Sequence, residues 1–290
     1  MKKKILFACD LDNTLLHSHR RKAEGDICAE ILDGKEQSFF TPLAYKLIRE
    51  LTADENVLLL PVTTRSKEQY KRIKFPEGCT PEYALVCNGA VLLKDGEPEN
   101  EWYEESERLT NPYRDELKRF EETLKNSSDY SDSFPPPLRE GCNASFCVKV
   151  SREGGMPAGA PRFKTVRIVD DMFLFVYCYN KDEIESIAAE CRKDTELAVE
   201  YSGSKMYFFP PVSNKGYGVK RFAERYGFNR IISAGASMID CSMLEIADTA
   251  LVPDEKMRSL LKNENTLVCN EEHFSEFILK YVIGEGKKYL

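Results

Sequence analysis

The chain has 290 residues, of which 42% are apolar, and a formal net charge of −7. It is long enough to bury a full core, and we expect two compact units or one unit with a large insertion. Acidic and basic residues are mixed along the chain, which argues against a nucleic-acid-binding face. The ten cysteines and three histidines form no typical zinc pattern, and no apolar run is long enough to cross a membrane, so we expect a cytoplasmic protein.

The first apolar run, Ile5–Cys9, ends in Asp10 and Asp12. Apolar residues without alternation predict a strand buried on both faces, as in a parallel sheet. Ligands of open parallel α/β sheets bind at the carboxyl ends of the strands, where these two acids lie. Residues two apart in an extended segment point the same way, so the pair predicts a site for a hard cation such as Mg²⁺. An ordinary acidic turn is the alternative, and this stretch alone leaves both interpretations open.

The polar segment at 17–38 carries a short apolar island and an Asp33-Gly34 turn signal, which predict a hairpin lying over this site. Thr41-Pro42 then predicts a helix start, because a threonine cap is followed by proline at the first helical position. A helix therefore follows the first strand.

The second apolar run, Val57–Val62, ends in Thr63-Thr64-Arg65-Ser66 before a predicted helix. Hydroxyls and backbone N–H groups at such a turn suit a phosphate, because the helix N-terminus carries partial positive charge. Ser66 alone is better interpreted as a helix cap. A third run, Tyr83–Cys87, ends in Asn88-Gly89 and reads as a strand with an added hairpin.

The composition of the sequence changes near Pro98, where Glu and Tyr become frequent. We place an inserted domain at residues 98–203, between core segments 1–97 and 204–290. Its predicted strands and helix are Phe146–Val150, Thr165–Val169, Phe173–Tyr179, Leu197–Tyr201 and the helix Lys181–Lys193.

The closing part of the core brings two more strand ends. Lys215 stands at a predicted helix start after Pro210-Pro211, where a cation is unfavourable for the helix dipole unless it faces an anion. The buried run Arg230–Ala234 leads into Gly235-Ala236-Ser237-Met238-Ile239-Asp240. Strands alternate with helices apart from the hairpins, so the predicted class is α/β with a doubly wound, mostly parallel sheet.

Four strand ends thus supply an acid pair, a hydroxyl, a lysine and an acid. This order resembles the haloacid dehalogenase superfamily of phosphohydrolases, whose motifs are D-x-D-x-T, a Thr or Ser, a Lys and an acidic cluster. The T-x-R at Thr63 to Arg65, Asn88-Gly89-Ala90 and S-N-K-G at Ser213 to Gly216 look like the Cof-type, sugar-phosphatase branch, which carries an inserted α/β cap of type IIB. The match covers the Rossmann-like core at both ends of the chain, whereas the insert resembles the cap in position and size only.

The resemblance implies a role for each residue that matches a motif. Asp10 would attack phosphorus and form an aspartyl-phosphate, and Asp12 would act as the general acid and base. The implied phosphate-binding residues are Thr63, Thr64, Asn88 and Lys215. Mg²⁺ would be held by Asp10, by the backbone carbonyl of Asp12 and by Asp240. The implied supporting residues are Thr14, Arg65 and Ser237.

The fourth motif departs from the family. Its usual form is G-D-x-x-N-D, so the direct metal ligand is expected at Ala236 and an asparagine at Ile239. Asp240 remains, one helical turn after Ala236. The departure predicts weaker Mg²⁺ binding and reduced activity.

These features predict a Mg²⁺-dependent phosphatase that acts on a small phosphorylated metabolite, such as a sugar phosphate. A catalytically impaired phosphate-binding or regulatory protein is one alternative, and a phosphomutase is another. We expect a small phosphorylated substrate as the partner, no nucleic acid or membrane, and a monomer or weak dimer.

Overall fold

The structure is a computed structural model that describes residues 4–127, 129–131 and 161–289. The chain divides into two compact units, Met1–Leu109 with Val212–Leu290, and Thr110–Pro211. The predicted strand Phe146–Val150 lies outside the described residues. No helix in the described ranges combines the length and the apolar character that crossing a membrane requires.

The strands in chain order are β1 (Ile5–Cys9), β2 (His17–Ser18), β3 (Ile27–Leu32), β4 (Lys35–Phe40), β5 (Val57–Pro61), β6 (Tyr83–Val86), β7 (Val91–Lys94), β8 (Glu97–Pro98), β9 (Phe163–Val169), β10 (Phe173–Cys178), β11 (Ala198–Ser202), β12 (Lys205–Phe209), β13 (Arg230–Ala234), β14 (Thr249–Val252) and β15 (Thr266–Val268). The helices are α1 (Pro42–Ala53), α2 (Lys67–Lys71), α3 (Asn100–Thr110), α4 (Arg114–Asn126), α5 (Ile184–Cys191), α6 (Lys215–Tyr226), α7 (Cys241–Glu245), α8 (Glu255–Arg258) and α9 (Phe274–Lys287).

A five-stranded parallel sheet organises the first unit, in the order β15-β14-β13-β1-β5. Ile5 of β1 lies opposite Arg230 on one side and Val57 on the other, and every residue of β1 is fully buried. Burial on both faces explains why β1 reads as a continuous apolar run. The predicted α/β class with a mostly parallel sheet and an inserted cap is confirmed.

The strand β6 extends this edge of the sheet next to β5. The Thr63 amide donates to the Leu85 carbonyl at 2.9 Å, and Val62 and Leu85 form a parallel bridge. The carboxyl ends of β13, β1, β5 and β6 therefore lie along one edge, which is where ligands of such sheets bind.

One face of this sheet is covered by α6 and by the indole of Trp102 from α3. Trp102 is fully buried in a cluster that includes Tyr83 and Phe222. Residues 98–109 consequently pack with the first unit, although the sequence places the start of the insert at Pro98. A boundary based on composition misses this contact, because α3 has a polar outer face.

The segment between β1 and α1 forms a three-stranded antiparallel sheet in the order β2-β4-β3. The sequence predicts a hairpin here, and the hairpin is β3-β4. The short β2 adds a third strand, because His17 and Ser18 pair with Phe39 and Ser38.

The second unit is a four-stranded antiparallel sheet, β11-β12-β10-β9, whose core contains residues of α4 and α5 such as Phe120 and Ile187. In β12, Phe208 lies opposite Val199 on one side and Leu174 on the other. This pairing places β12 in the second unit, whereas the sequence places residues from 204 onward in the core. The roles of the two units as catalytic core and specificity cap stay a prediction.

Candidate active site

Asp10 follows β1 directly at the carboxyl edge of the parallel sheet. Its amide donates to the Ala234 carbonyl at 2.9 Å, which continues the pairing of β1 with β13. The Asp10 side chain is 9% exposed. Oδ1 accepts a hydrogen bond from Lys215 Nζ at 2.6 Å, and Oδ2 accepts one from Thr14 Oγ1 at 3.1 Å. Asp10 is thus oriented by a cation and a hydroxyl.

Lys215 is the first residue of α6, and its side chain is 2% exposed. The helix is capped by Asn214, whose side chain accepts from the Tyr217 amide at 2.8 Å. The ammonium lies 2.6 Å from Asp10 Oδ1 and 2.6 Å from Asp240 Oδ1. These two carboxylates offset the cost of placing a buried cation at a helix N-terminus.

Asp240 is completely buried behind Lys215. Its Oδ2 accepts hydrogen bonds from the Ala236 amide at 3.0 Å, the Ser237 amide at 2.9 Å and the Ser237 hydroxyl at 2.8 Å. A Cβ at Gly235 would lie 2.4 Å from Asp240 Cβ, so only glycine permits this close approach. Ser237 supports Asp240, and through it the charge that holds Lys215.

The buried charges of Asp10, Lys215 and Asp240 shift the pKa values of Asp10 and Lys215. Burial and then the negative charge of Asp240 raise the pKa of the Asp10 carboxyl to about 7, although Lys215 acts in the opposite direction. Burial alone would lower the pKa of Lys215, but Asp10 and Asp240 outweigh burial and raise it. Lys215 is therefore charged at neutral pH, and the site keeps a fixed cation beside Asp10.

Asp12 is held by Arg65, which lies in the turn after β5. Arg65 Nε donates to Asp12 Oδ2 at 2.8 Å, and Nη2 donates to Oδ1 at 2.8 Å. Such a bidentate pair fixes the plane of the carboxylate as well as its position. Burial would lower the pKa of Arg65, but the hydrogen bonds and charges of Asp12 and Glu30 raise it instead.

The predicted phosphate-binding residues lie at two neighbouring strand ends. Thr63 is 1% exposed, and its hydroxyl accepts from the Arg65 amide at 3.2 Å. Its carbonyl accepts from the Asn88 amide at 2.9 Å. Asn88 is fully buried, and its backbone adopts the left-handed conformation with φ of 59°. Its Nδ2 donates to the Ser213 carbonyl at 3.4 Å. Thr64 lies half-buried in the same turn as Thr63.

Within the described residues, two buried oxygens of this region lack a hydrogen-bond partner, namely Asn88 Oδ1 and Ser213 Oγ. Ser66, in contrast, caps α2, where it forms a capping box with Gln69. The cap interpretation of Ser66 therefore agrees with the structure.

The side chains do not fit the implied Mg²⁺ site. The two implied carboxylate ligands, Asp10 and Asp240, share the ammonium of Lys215, which lies 2.6 Å from an oxygen of each. Their other oxygens accept hydrogen bonds from Thr14 and from Ser237. Ala236 offers no ligand atom in its side chain. Among the residues that the structure describes, no group of three or more His, Cys, Asp or Glu side chains is arranged to hold a metal. We therefore derive no step through a metal ion.

The comparisons with known proteins agree with this arrangement of motifs. Residues 162–270 match the family model described as haloacid dehalogenase-like hydrolase. For this part of the chain, the predicted resemblance to the haloacid dehalogenase superfamily is confirmed. This family is one of hydrolases, as the motifs predict. No curated protein matches the sequence.

Solved structures of several proteins share the fold over nearly all of the chain. The sucrose-phosphatase of Synechocystis, solved with sucrose and phosphate, has a TM-score of 0.58 at 13% identity and covers 99% of each chain. A haloacid dehalogenase-like hydrolase from B. subtilis has a TM-score of 0.57 at 16% identity, over 96% of this chain and 99% of that one. A trehalose-6-phosphate phosphatase related protein has a TM-score of 0.52 at 16% identity, over 98% and 100%. At such identities the likeness shows the fold alone.

Sequence reasoning missed the contact between Arg65 and Glu30 in the candidate active site. Glu30 is 4% exposed, and its Oε2 accepts from Arg65 Nη1 at 2.8 Å and from Ser38 Oγ at 3.1 Å. Arg72 Nε donates to the other oxygen at 3.0 Å. One signal could have found Glu30, because it is an acid inside a short apolar run that reads as a strand.

Proposed function

We propose that the chain hydrolyses phosphoric monoesters of small metabolites, with Asp10 as the nucleophile. The observation that carries this proposal is the orientation of Asp10 at the sheet edge, between Lys215 and Thr14. A carboxylate fixed beside a cation attacks a phosphoryl group with little reorganisation. The sucrose-phosphatase and the trehalose-6-phosphate phosphatase related protein among the structural neighbours support a substrate of this class.

In the first step, a carboxylate oxygen of Asp10 attacks phosphorus while the bond from phosphorus to the leaving oxygen breaks, which yields an aspartyl-phosphate. Lys215 offsets the negative charge that spreads over the phosphoryl oxygens in the transition state. Thr63 and Asn88, together with Thr64, are proposed to bind those oxygens from the adjacent strand ends. Asp12 supplies the proton that the leaving oxygen takes up.

In the second step, Asp12 takes a proton from water, and that water cleaves the aspartyl-phosphate to release inorganic phosphate and restore Asp10. The bidentate pair with Arg65 fixes the plane and the position of the Asp12 carboxylate for both proton transfers. Arg65 therefore acts as a positioning residue in this scheme.

Mg²⁺ stays a prediction that rests on the family resemblance. The carboxylates that would hold it are engaged by protein donors, and Ala236 replaces the expected ligand. We propose that any requirement for Mg²⁺ is weak, so that chelation of divalent ions lowers activity only in part.

The test is release of phosphate from p-nitrophenyl phosphate and from a panel of sugar phosphates, with Mg²⁺ and with a chelator. Wild type should release phosphate, and Asp10→Asn should abolish release, because the amide is not a nucleophile. The matched control is Asp95→Asn, an exposed turn residue with φ of 51° that asparagine adopts readily. Absence of phosphate release by wild type at millimolar Mg²⁺, on every substrate, would overturn the proposal.

The engaged carboxylates and Ala236 also favour a second candidate, a phosphate-binding or regulatory protein with impaired catalysis. In that case Ala236→Asp should create Mg²⁺-dependent activity that wild type lacks. Activity of wild type equal to that of Ala236→Asp would count against this second candidate.

The role of the second unit, the location of the protein and its oligomeric state are also part of the proposal. The second unit is proposed to act as the cap that selects the leaving group, because the core recognises mainly the phosphoryl group. A cytoplasmic location and a monomeric or weakly dimeric state remain predictions, and both can be measured by fractionation and by light scattering.

A further inference from the structure

We propose that Glu30 is a positioning residue for Asp12 and that it acts through Arg65. Glu30 lies on β3, in the three-stranded sheet inserted between β1 and α1. Its carboxylate and that of Asp12 bind opposite sides of the same guanidinium group. The side chain that orients Asp12 is thus itself held by the inserted sheet.

The first support is the geometry of the guanidinium. Arg65 uses Nε and Nη2 for Asp12 and Nη1 for Glu30, each at 2.8 Å. The Arg65 side chain is 11% exposed and that of Glu30 is 4% exposed. All three guanidinium nitrogens are engaged, and Nη1 also donates to the Gln69 carbonyl at 3.4 Å. Loss of Glu30 would leave Nη1 with this long contact alone, so the guanidinium would be held less firmly.

The second support is the backbone at Glu30. The pairing of β3 with β4 shifts register between Cys28 and Glu30 and again between Glu30 and Ile31. Ala29 and Glu30 are both buried although they are adjacent, so the alternation of a regular strand is broken here. Such irregularities redirect a side chain beside a functional site, and this one turns an acid inward.

The third support is the balance of charge. Arg72 and Ser38 complete the hydrogen bonding of Glu30, so charges alternate along the series Asp12, Arg65, Glu30, Arg72. A buried carboxylate is costly unless it is paired and hydrogen-bonded, and this one has three partners. Each charge of the series is held by its neighbours, and the orientation of Asp12 depends on the inserted sheet.

The kinetic arm of the test rests on the proposed function. Glu30→Ala should lower kcat by about 10- to 100-fold with KM changed by less than about twofold, because misplacement of Asp12 affects proton transfer rather than binding. Glu30→Gln keeps one acceptor for Arg65 and should restore part of the loss.

The matched controls are Glu285→Ala and Glu285→Gln. Glu285 is also a buried carboxylate paired with an arginine, Arg230, but Arg230 begins β13 while the site lies beyond its end. These variants should lose stability without loss of kcat. A fall in kcat that is as large in Glu285→Ala as in Glu30→Ala would overturn the proposal, because it would reduce the effect to general destabilisation.

A second arm is independent of activity. The Arg65 Nε–H should give a slowly exchanging NMR signal, assigned by its disappearance in Arg65→Lys. Glu30→Ala should broaden or shift that signal, and Glu285→Ala should leave it unchanged. If wild type releases no phosphate, the proposed function fails and this arm alone decides. An unchanged Arg65 signal in folded Glu30→Ala would overturn the inference, and the near-isosteric Glu30→Gln serves the same purpose if the alanine variant does not fold.

Discussion

Lys215 lies almost completely buried between the carboxylates of Asp10 and Asp240, 2.6 Å from each. Removing a charge from water costs several kcal/mol, which is recovered only where partners are close and well oriented. The lysine therefore has two functions in one position. In the proposed mechanism it provides the cation that the phosphoryl group needs, and in the fold it cancels much of the repulsion between two buried acids.

Lys215→Met should destabilise the protein by about 3–5 kcal/mol, because it leaves two buried carboxylates without their cation. Urea unfolding at neutral pH measures this loss. The control is Lys280→Met, which removes an exposed pair with Glu271 and should have a much smaller effect. Equal losses in the two variants would show that the buried pairs contribute no more than an exposed one.

At the scale of single residues, sequence reasoning finds those that stand at a recognisable local feature, such as the end of an apolar run or the start of a helix. Asp10 and Asp12 follow an apolar run, and Lys215 stands at a helix start where a cation needs an explanation. Arg72 carries no such pattern, and the only signal at Glu30 is an acid inside a short apolar run. The importance of both residues comes from contacts to Arg65 and to each other, which local sequence does not show. The engagement of Asp240 by Ser237 was equally hidden, because it depends on the conformation of the loop.

At the scale of elements, α6 approaches the turn after β6 through a pair of glycines. Gly89 has φ of +93°, a conformation that other residues rarely adopt. A Cβ at Gly218 would lie 2.9 Å from Gly89 Cα and 3.1 Å from its carbonyl oxygen. The close contact places the start of α6, and so Lys215, against the turn that contains Asn88.

Gly218→Ala should therefore displace α6 and cost about 1–3 kcal/mol of stability, as overpacking does. It should also weaken binding of inorganic phosphate, measured by calorimetry, because Lys215 moves with the helix. The matched control is Gly284→Ala in α9, where a Cβ would have no heavy atom within 4 Å. This substitution should stabilise the helix by up to about 1 kcal/mol. If Gly218→Ala kept the stability and the phosphate binding of wild type, the close contact with Gly89 would not be what positions Lys215.

The elements themselves were predictable to different degrees. The parallel strands read clearly because they are buried on both faces, which leaves long apolar runs. The sequence did not show which unit β12 belongs to. Met206 to Phe209 would suit either sheet, and the choice depends on pairing with β10 and β11. Trp102 gives a similar lesson, because one buried indole assigns α3 to the first unit against the composition of the segment.

At the scale of the whole molecule, the first unit is built from both ends of the chain. Arg230 at the start of β13 pairs with Glu285 in α9, and Lys288 contacts the same carboxylate. Burial alone would raise the pKa of Glu285, but hydrogen bonds from Lys288 and Arg230 outweigh burial and lower it. This carboxylate is more acidic in the folded chain than in the unfolded one.

A lowered pKa makes a stabilising contribution above the unfolded pKa, which is about 4.3 for glutamate, and the contribution is lost as pH falls through the folded value. Glu285→Gln should thus be less stable than wild type by on the order of 1 kcal/mol at pH 7, and the gap should close as the pH falls through and below about 4. Urea unfolding of both proteins across this range measures the difference. A gap that stays constant with pH would exclude the ion pair as its source.

The central position of β1 has a consequence for biosynthesis. One neighbour of β1 is β5, which leaves the ribosome soon after it, but the other is β13, which is made only after the second unit is complete. Until then β1 exposes an apolar strand edge, and pairing between segments so distant in sequence is slow. A growing or truncated chain that ends before β13 also lacks Asp240, the last acid of the site, and its open edge is prone to aggregation. The candidate active site therefore forms only after the N-terminal and C-terminal segments of the first unit have folded together.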